Sequence, residues 1–220
     1  MSPRIIFDNE LKLLRENVAQ MARKVEESYD ELFKALAEQD ENKIMELKKN
    51  DKAVSKRQRE IESQCLFLIT KQQPIVGDLR VVTASLKVVT DIERVGDHVS
   101  DMADLLLRLQ MKDLSLFSVH VETMIMATRE MLHEAVEMFI ARNMEAAKRV
   151  IREDDIIDEC FNKVKYDLID SLKREVKDAD ECIDVLMLAK YLEKIGDHAV
   201  NIGEWEIFQE TGNISDMRLL

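Results

Sequence analysis

Asp91-Ile92-Glu93-Arg94-Val95-Gly96-Asp97-His98 recurs one hundred positions later as Tyr191-Leu192-Glu193-Lys194-Ile195-Gly196-Asp197-His198. Each copy carries Glu-x-x-x-Asp, then His, with a glycine inside an otherwise helical pattern. A chain that repeats itself on this scale folds as two related units, and the chemistry of the repeated residues is present twice. Only five glycines and two prolines occur in 220 residues. The backbone has few places to reverse, which suits long helices and argues against a β-rich fold.

Six helices account for the pattern. Leu11, Leu14, Val18, Met21, Val25, Tyr29, Leu32 and Phe33 recur at helical spacing in a first helix over about 8–37. Asp40 or Asn42 caps a second that runs to about Thr70, and Pro74 and Gly77 punctuate its end. The third covers about 75–111 and the fourth about 118–141. Asn143 opens the fifth, to about 173, and Asp178 to Asp180 precede a sixth that fades by Thr211. Asn50-Asp51-Lys52 aligns with Glu153-Asp154-Asp155 at an offset of 103, which falls to 100 in the third helix. The fold class is therefore all-α: two tandem three-helix bundles, residues 1–112 and 113–220.

Charge narrows the function. The net charge is -12, with 35% of residues charged. Such a surface repels nucleic-acid phosphates and anionic lipid headgroups and attracts cations. The N-terminus lacks a basic stretch followed by an apolar run, so no signal peptide is expected. The longest apolar runs, such as Cys65-Leu66-Phe67-Leu68-Ile69, fall far short of a bilayer span. Cys65, Cys160 and Cys182 follow no pairing pattern and are expected to be reduced and buried in a cytoplasmic protein.

Residues four apart share a helix face, so Glu93 and Asp97 present two carboxylates side by side, as do Glu193 and Asp197. Like charges at this spacing weaken a helix, and a central glycine costs about 1 kcal/mol more relative to alanine. Metal coordination would turn the repulsion into binding energy. Asp154 and Asp158 form a further pair on the fifth helix, as far before the predicted turn as Glu193 and Asp197 lie after it. Antiparallel packing then predicts four carboxylates at one level. In the first half Asp51 and Ser55 face Glu93 and Asp97, so that set is one carboxylate poorer. Asp101 and Asn201, one turn beyond, extend each site. Oxygen ligands suit hard cations such as Mg, Mn, Ca or ferric iron. His98 and His198 are read as surface or supporting groups rather than ligands.

At these residues the sequence resembles the PhoU family of regulators of bacterial phosphate uptake. The matching segments are Asn50-Asp51-Lys52-Ala53-Val54, Lys71-Gln72-Gln73-Pro74, Asp78-Leu79-Arg80, Arg152-Glu153-Asp154 and the doubled Glu-Arg/Lys-x-Gly-Asp. The resemblance implies two three-helix bundles with pseudo-twofold symmetry and metal sites, often iron or zinc clusters. It carries these onto Glu93, Asp97, Asp154, Asp158, Glu193, Asp197 and Asp51. It also implies a non-enzymatic, homodimeric negative regulator. Such a protein works with the ATPase subunit of a phosphate ABC transporter and with a sensor histidine kinase, and meets the inner face of the membrane only through them.

Three other readings compete. A di-iron carboxylate oxidase wants two Glu-x-x-His motifs, and only Glu130-Met131-Leu132-His133 matches. His133-Glu134 has the look of a phosphoacceptor histidine, without an ATP-binding domain. A metal-free helical scaffold is the plainest, with Met124, Met126, Met131 and Met138 as core fillers. No P-loop or Ser-His-Asp or Cys-His arrangement supports an NTPase or hydrolase.

Overall fold

The apolar stripe that begins at Leu11 is buried along α1 (Pro3–Glu38): Leu11, Leu14, Val18, Met21, Val25, Tyr29 and Leu32 are closed off from solvent. Phe33 is half-buried and tilts against Tyr29, with ring centroids 4.9 Å apart. The computed structural model describes residues 3–49, 51–72, 74–110, 112–174 and 178–213. Its other helices are α2 (Glu41–Leu47), α3 (Asp51–Gln72), α4 (Val76–Arg108), α5 (Val119–Ala141), α6 (Met144–Lys173) and α7 (Ala179–Thr211). A 3-10 turn, Leu114–Leu116, joins the halves. Among the described residues there is no strand.

Helix starts follow local chemistry. The side chain of Asp40 accepts from the Lys43 N–H (3.0 Å), Ser118 from His120 (3.2 Å) and Asn143 from Ala146 (3.1 Å). Asp178 accepts from both Asp180 and Glu181. Each satisfies backbone donors that a helix leaves unpaired in its first turn.

The helix expected over about 40–70 is divided into α2 and α3. Ser100 of α4 donates its hydroxyl to the carbonyl of Lys48 (2.9 Å), and the Lys48 ammonium reaches Asp104 (2.6 Å). α4 thus supplies the partner that a broken helix end needs. In the second half Val200 and Glu204 occupy the equivalent positions, and α6 runs on unbroken.

Each half is an antiparallel three-helix unit, and the halves pack face to face. α4 lies along α7 in the most extensive contact of the molecule. α1 meets α5, where Tyr29 donates to the Ile125 carbonyl (2.8 Å) and the Arg129 fork spans both oxygens of Asp30 (2.8 and 3.0 Å). One buried core draws on both halves. The Glu130/His133 motif lies at this seam and not in a bundle interior: both side chains are exposed, and His133 contacts Glu26 of α1 at 2.5 Å. Met124, Met131 and Met138 are core residues as expected, but Met126 is 64% exposed, because it falls on the solvent side of α5. The three cysteines are buried and form no disulfide. Among the described residues no helix is long and apolar enough to cross a membrane.

Candidate metal centres

The repeated glycines decide how closely the helices approach. A Cβ on Gly96 would stand 3.2 Å from Cγ1 of Val54 on α3. On Gly196 it would stand 3.1 Å from Oδ1 of Asp154 and 3.1 Å from Cδ1 of Ile157, both on α6. Each glycine removes the side chain at the point where its helix crosses the preceding one. In the second half this brings Asp154, only 5% exposed, directly against the Glu193/Asp197 turn.

In the first half the predicted register across α3 and α4 holds, with Ser55 Oγ donating to Glu93 Oε1 at 2.9 Å. Arg94 donates to Asp97 (3.1 Å). In the second half Lys190 meets Glu193 at 2.5 Å, and Lys194 donates to Asp197 at 2.5 Å and lies 3.6 Å from Glu193. The hydrogen bond to Asp197 holds the Lys194 ammonium above its usual range. Asp158 is exposed, one turn beyond Asp154. The side chain of Asp51 lies outside the described residues. Among the described residues, no three His, Cys, Asp or Glu side chains gather closely enough to hold a metal ion. The expected four-carboxylate cluster is thus replaced, in this arrangement, by pairs of carboxylates neutralised by lysine or arginine on the same helix.

The donor chemistry nonetheless fits a hard cation. Every group is an oxygen, Glu93 and Glu193 are mostly buried, and each pair already requires positive charge beside it. The lysines that supply it in the second half, Lys190 and Lys194, are about 40% exposed and free to swing away on long stems.

Asp101 and Asn201 serve a different place. Asn201 donates to Asp91 Oδ1 at 2.9 Å, and His198 Nδ1 sits 2.9 Å from the same oxygen. Across the pseudo-twofold axis, Asp101 accepts the phenol of Tyr191, which is the repeat counterpart of Asp91. Burial first, then Asp101, pushes the Tyr191 phenol up. His98 lies beside Tyr191 (ring centroids 5.3 Å) and stacks on His198 (5.5 Å). Burial, followed by the charges of His198, Arg94 and Lys194, pushes His98 down to about 4, so it is neutral. The histidines therefore form a polar seam between α4 and α7, which sequence reasoning missed. The signal was present: Asp91 and His98 are seven apart, on a different stripe from Glu93 and Asp97.

Two three-helix units joined along α4 and α7, each bearing an acidic pair beside a packing glycine, define a duplicated helical-bundle protein with two acidic faces. The PhoU domain model matches residues 18–106 and again 121–205. The chain belongs to the PhoU family. It is 31% identical, over 97% of its length and 98% of the relative's, to the phosphate-specific transport system accessory protein PhoU homolog of Clostridium acetobutylicum. It is 28% identical to PhoU homolog 1 of Methanothermobacter thermautotrophicus, over 95% of this chain and 96% of that one. The crystal structure of the phosphate transport system regulatory protein PhoU from Streptococcus pneumoniae superposes with a TM-score of 0.88 at 26% identity, covering 96% of this chain and 100% of that one.

Proposed function

We propose that this chain is an accessory regulator of phosphate-specific transport that restrains uptake when phosphate is plentiful, without catalysing a reaction of its own. The observation that carries the reading is the doubled Glu-x-x-x-Asp motif on a fold shared, end to end, with proteins that bear that name. Its partners are the ATPase subunit of a phosphate ABC transporter and a sensor histidine kinase. It acts as a cytoplasmic homodimer that reaches the membrane through those partners.

The acidic faces are the metal sites of this account. Glu193, Asp197, Asp154 and Asp158 hold the fuller one, and Glu93, Asp97 and Asp51 the poorer one, with Ser55 in place of an acid. Asp101 and Asn201 support the faces from the seam. Iron or zinc, as single ions or clusters, is the first candidate, and Mg or Mn the second. A bound cation would supply the positive charge that Lys190 and Lys194 now supply, releasing those ammonium groups to the surface. The helices themselves set the spacing of the carboxylates, and the two glycines keep that spacing short. The lysine pairs also favour a second reading, a metal-free scaffold whose acidic faces are already neutralised.

A strain lacking this chain tests the regulatory reading. Phosphate uptake in phosphate-rich medium should rise, and the wild-type chain should restore it. Uptake that does not respond to loss of the chain contradicts the proposal.

A further inference from the structure

A cleft of about 130 Å³ opens where α1 crosses the ends of α5 and α7. It joins the two halves at a point remote from either acidic pair. Arg15 of α1, Arg142 at the end of α5 and Gln209 of α7 line it. Ala19, Phe139 and Ile140 make the rest of the lining apolar.

The charge of Arg15 is met only through space, by Glu206, then Glu210 and Asp78. Arg142 is held by Glu210. Glu16, also at the rim, pairs with Lys12 one turn earlier at 3.8 Å. Among the described residues Arg15 has neither a hydrogen bond nor an ion pair. Partial burial, and then the facing Arg142, holds its guanidinium below the usual range. The carboxyl that most favours its charge is Glu206, which is wholly buried. Burial pushes that carboxyl up to about 8, so it is largely uncharged at neutral pH. Glu206 accepts from the Gln209 amide at 2.9 Å, and its other oxygen is buried without a partner.

The backbone does not explain Arg142. It caps α5 in the left-handed region (φ 56°), as Gln39, its repeat counterpart, does after α1 (φ 55°). That conformation suits glycine or asparagine best. The Arg142 side chain reaches Glu210 and lines the cleft. The pseudo-equivalent cleft at the far end of the crossing has Gln39 in its place.

We propose that this cleft binds a small organic monocarboxylate, with its carboxylate between the guanidinium groups of Arg15 and Arg142 and its short apolar body against Ala19, Phe139 and Ile140. Planar guanidinium forks match a carboxylate in pairs of hydrogen bonds. The volume admits a ligand of roughly four to eight non-hydrogen atoms. Because α1 belongs to the first half and α5 and α7 to the second, such a ligand ties the halves together.

The test is calorimetric titration of the full chain with butyrate, and separately with inorganic phosphate. Saturable butyrate binding is expected, weakened at least about tenfold by Arg15→Gln. Arg15 makes no hydrogen bond or ion pair among the described residues, and far-ultraviolet circular dichroism of the variant should match wild type. Ala19→Leu, which fills the cleft, should abolish binding, while Glu159→Ala, on the exposed face of α6, should leave binding unchanged. Absence of saturable binding to wild type, binding unaffected by Arg15→Gln, or phosphate binding as tight as butyrate would each overturn the proposal.

Discussion

Ser55 on α3 donates its hydroxyl to Glu93 on α4 at 2.9 Å, at the sequence position that Asp158 takes in the second repeat. One hydroxyl therefore stands where a carboxylate would complete the set. Ser55→Asp sets a second negative charge against Glu93 and should destabilise the metal-free protein by about 1–2 kcal/mol. Added Mn or Fe should reverse the loss. Thermal denaturation with chelator and with metal measures both.

Gly196→Ala gains helix propensity of about 1 kcal/mol but drives a methyl to 3.1 Å from both Asp154 and Ile157. Overpacking of this kind costs about 1–3 kcal/mol. Net destabilisation is expected, and it should exceed that of Gly96→Ala, which meets Cγ1 of Val54 at 3.2 Å and Val25 only at 3.6 Å. Urea denaturation of the two variants compares them.

Glu206 makes stability depend on pH. Burial raises its folded-state pKa from 4.5 to about 8, so the folded chain holds the proton more tightly than the unfolded chain. The resulting stabilisation is complete below the unfolded value and is lost as pH rises through about 8. Glu206→Gln keeps the shape without the charge. It should flatten stability between pH 5 and pH 9 and gain roughly 1–3 kcal/mol at the alkaline end. Denaturation midpoints across that range decide it.

Asp91 receives both His198 and Asn201 on one oxygen within the seam between α4 and α7. Asp91→Ala strands two half-buried polar side chains and should cost about 2–3 kcal/mol. Tyr191→Phe, at the pseudo-symmetric position, removes one hydroxyl and should cost about 1 kcal/mol. Equilibrium denaturation should preserve this order.

Local chemistry was legible in the sequence. The caps at Asp40, Ser118, Asn143 and Asp178 act within three residues of themselves, and the stripe from Leu11 to Leu32 has a helical period. The Ser55–Glu93 register followed from antiparallel packing about one turn. What was not legible depends on distant partners. The break after Lys48 depends on Ser100, 52 residues away. The His98/His198 seam arises only when the halves meet, a contact that no repeat within one half reveals. The capture of Glu193 and Asp197 by Lys190 and Lys194 was not foreseen, because a lysine three residues before an acid is common on any charged helix.

Metal content is the most direct test of the central claim, that the Glu193/Asp197 face with Asp154 holds a multivalent cation. Protein purified without chelator from iron- and zinc-replete medium should carry at least about one equivalent of metal per chain. Glu193→Ala combined with Asp197→Ala should remove most of it while the helical content stays intact. Wild-type protein free of metal, or a double variant that retains the wild-type content, contradicts the account.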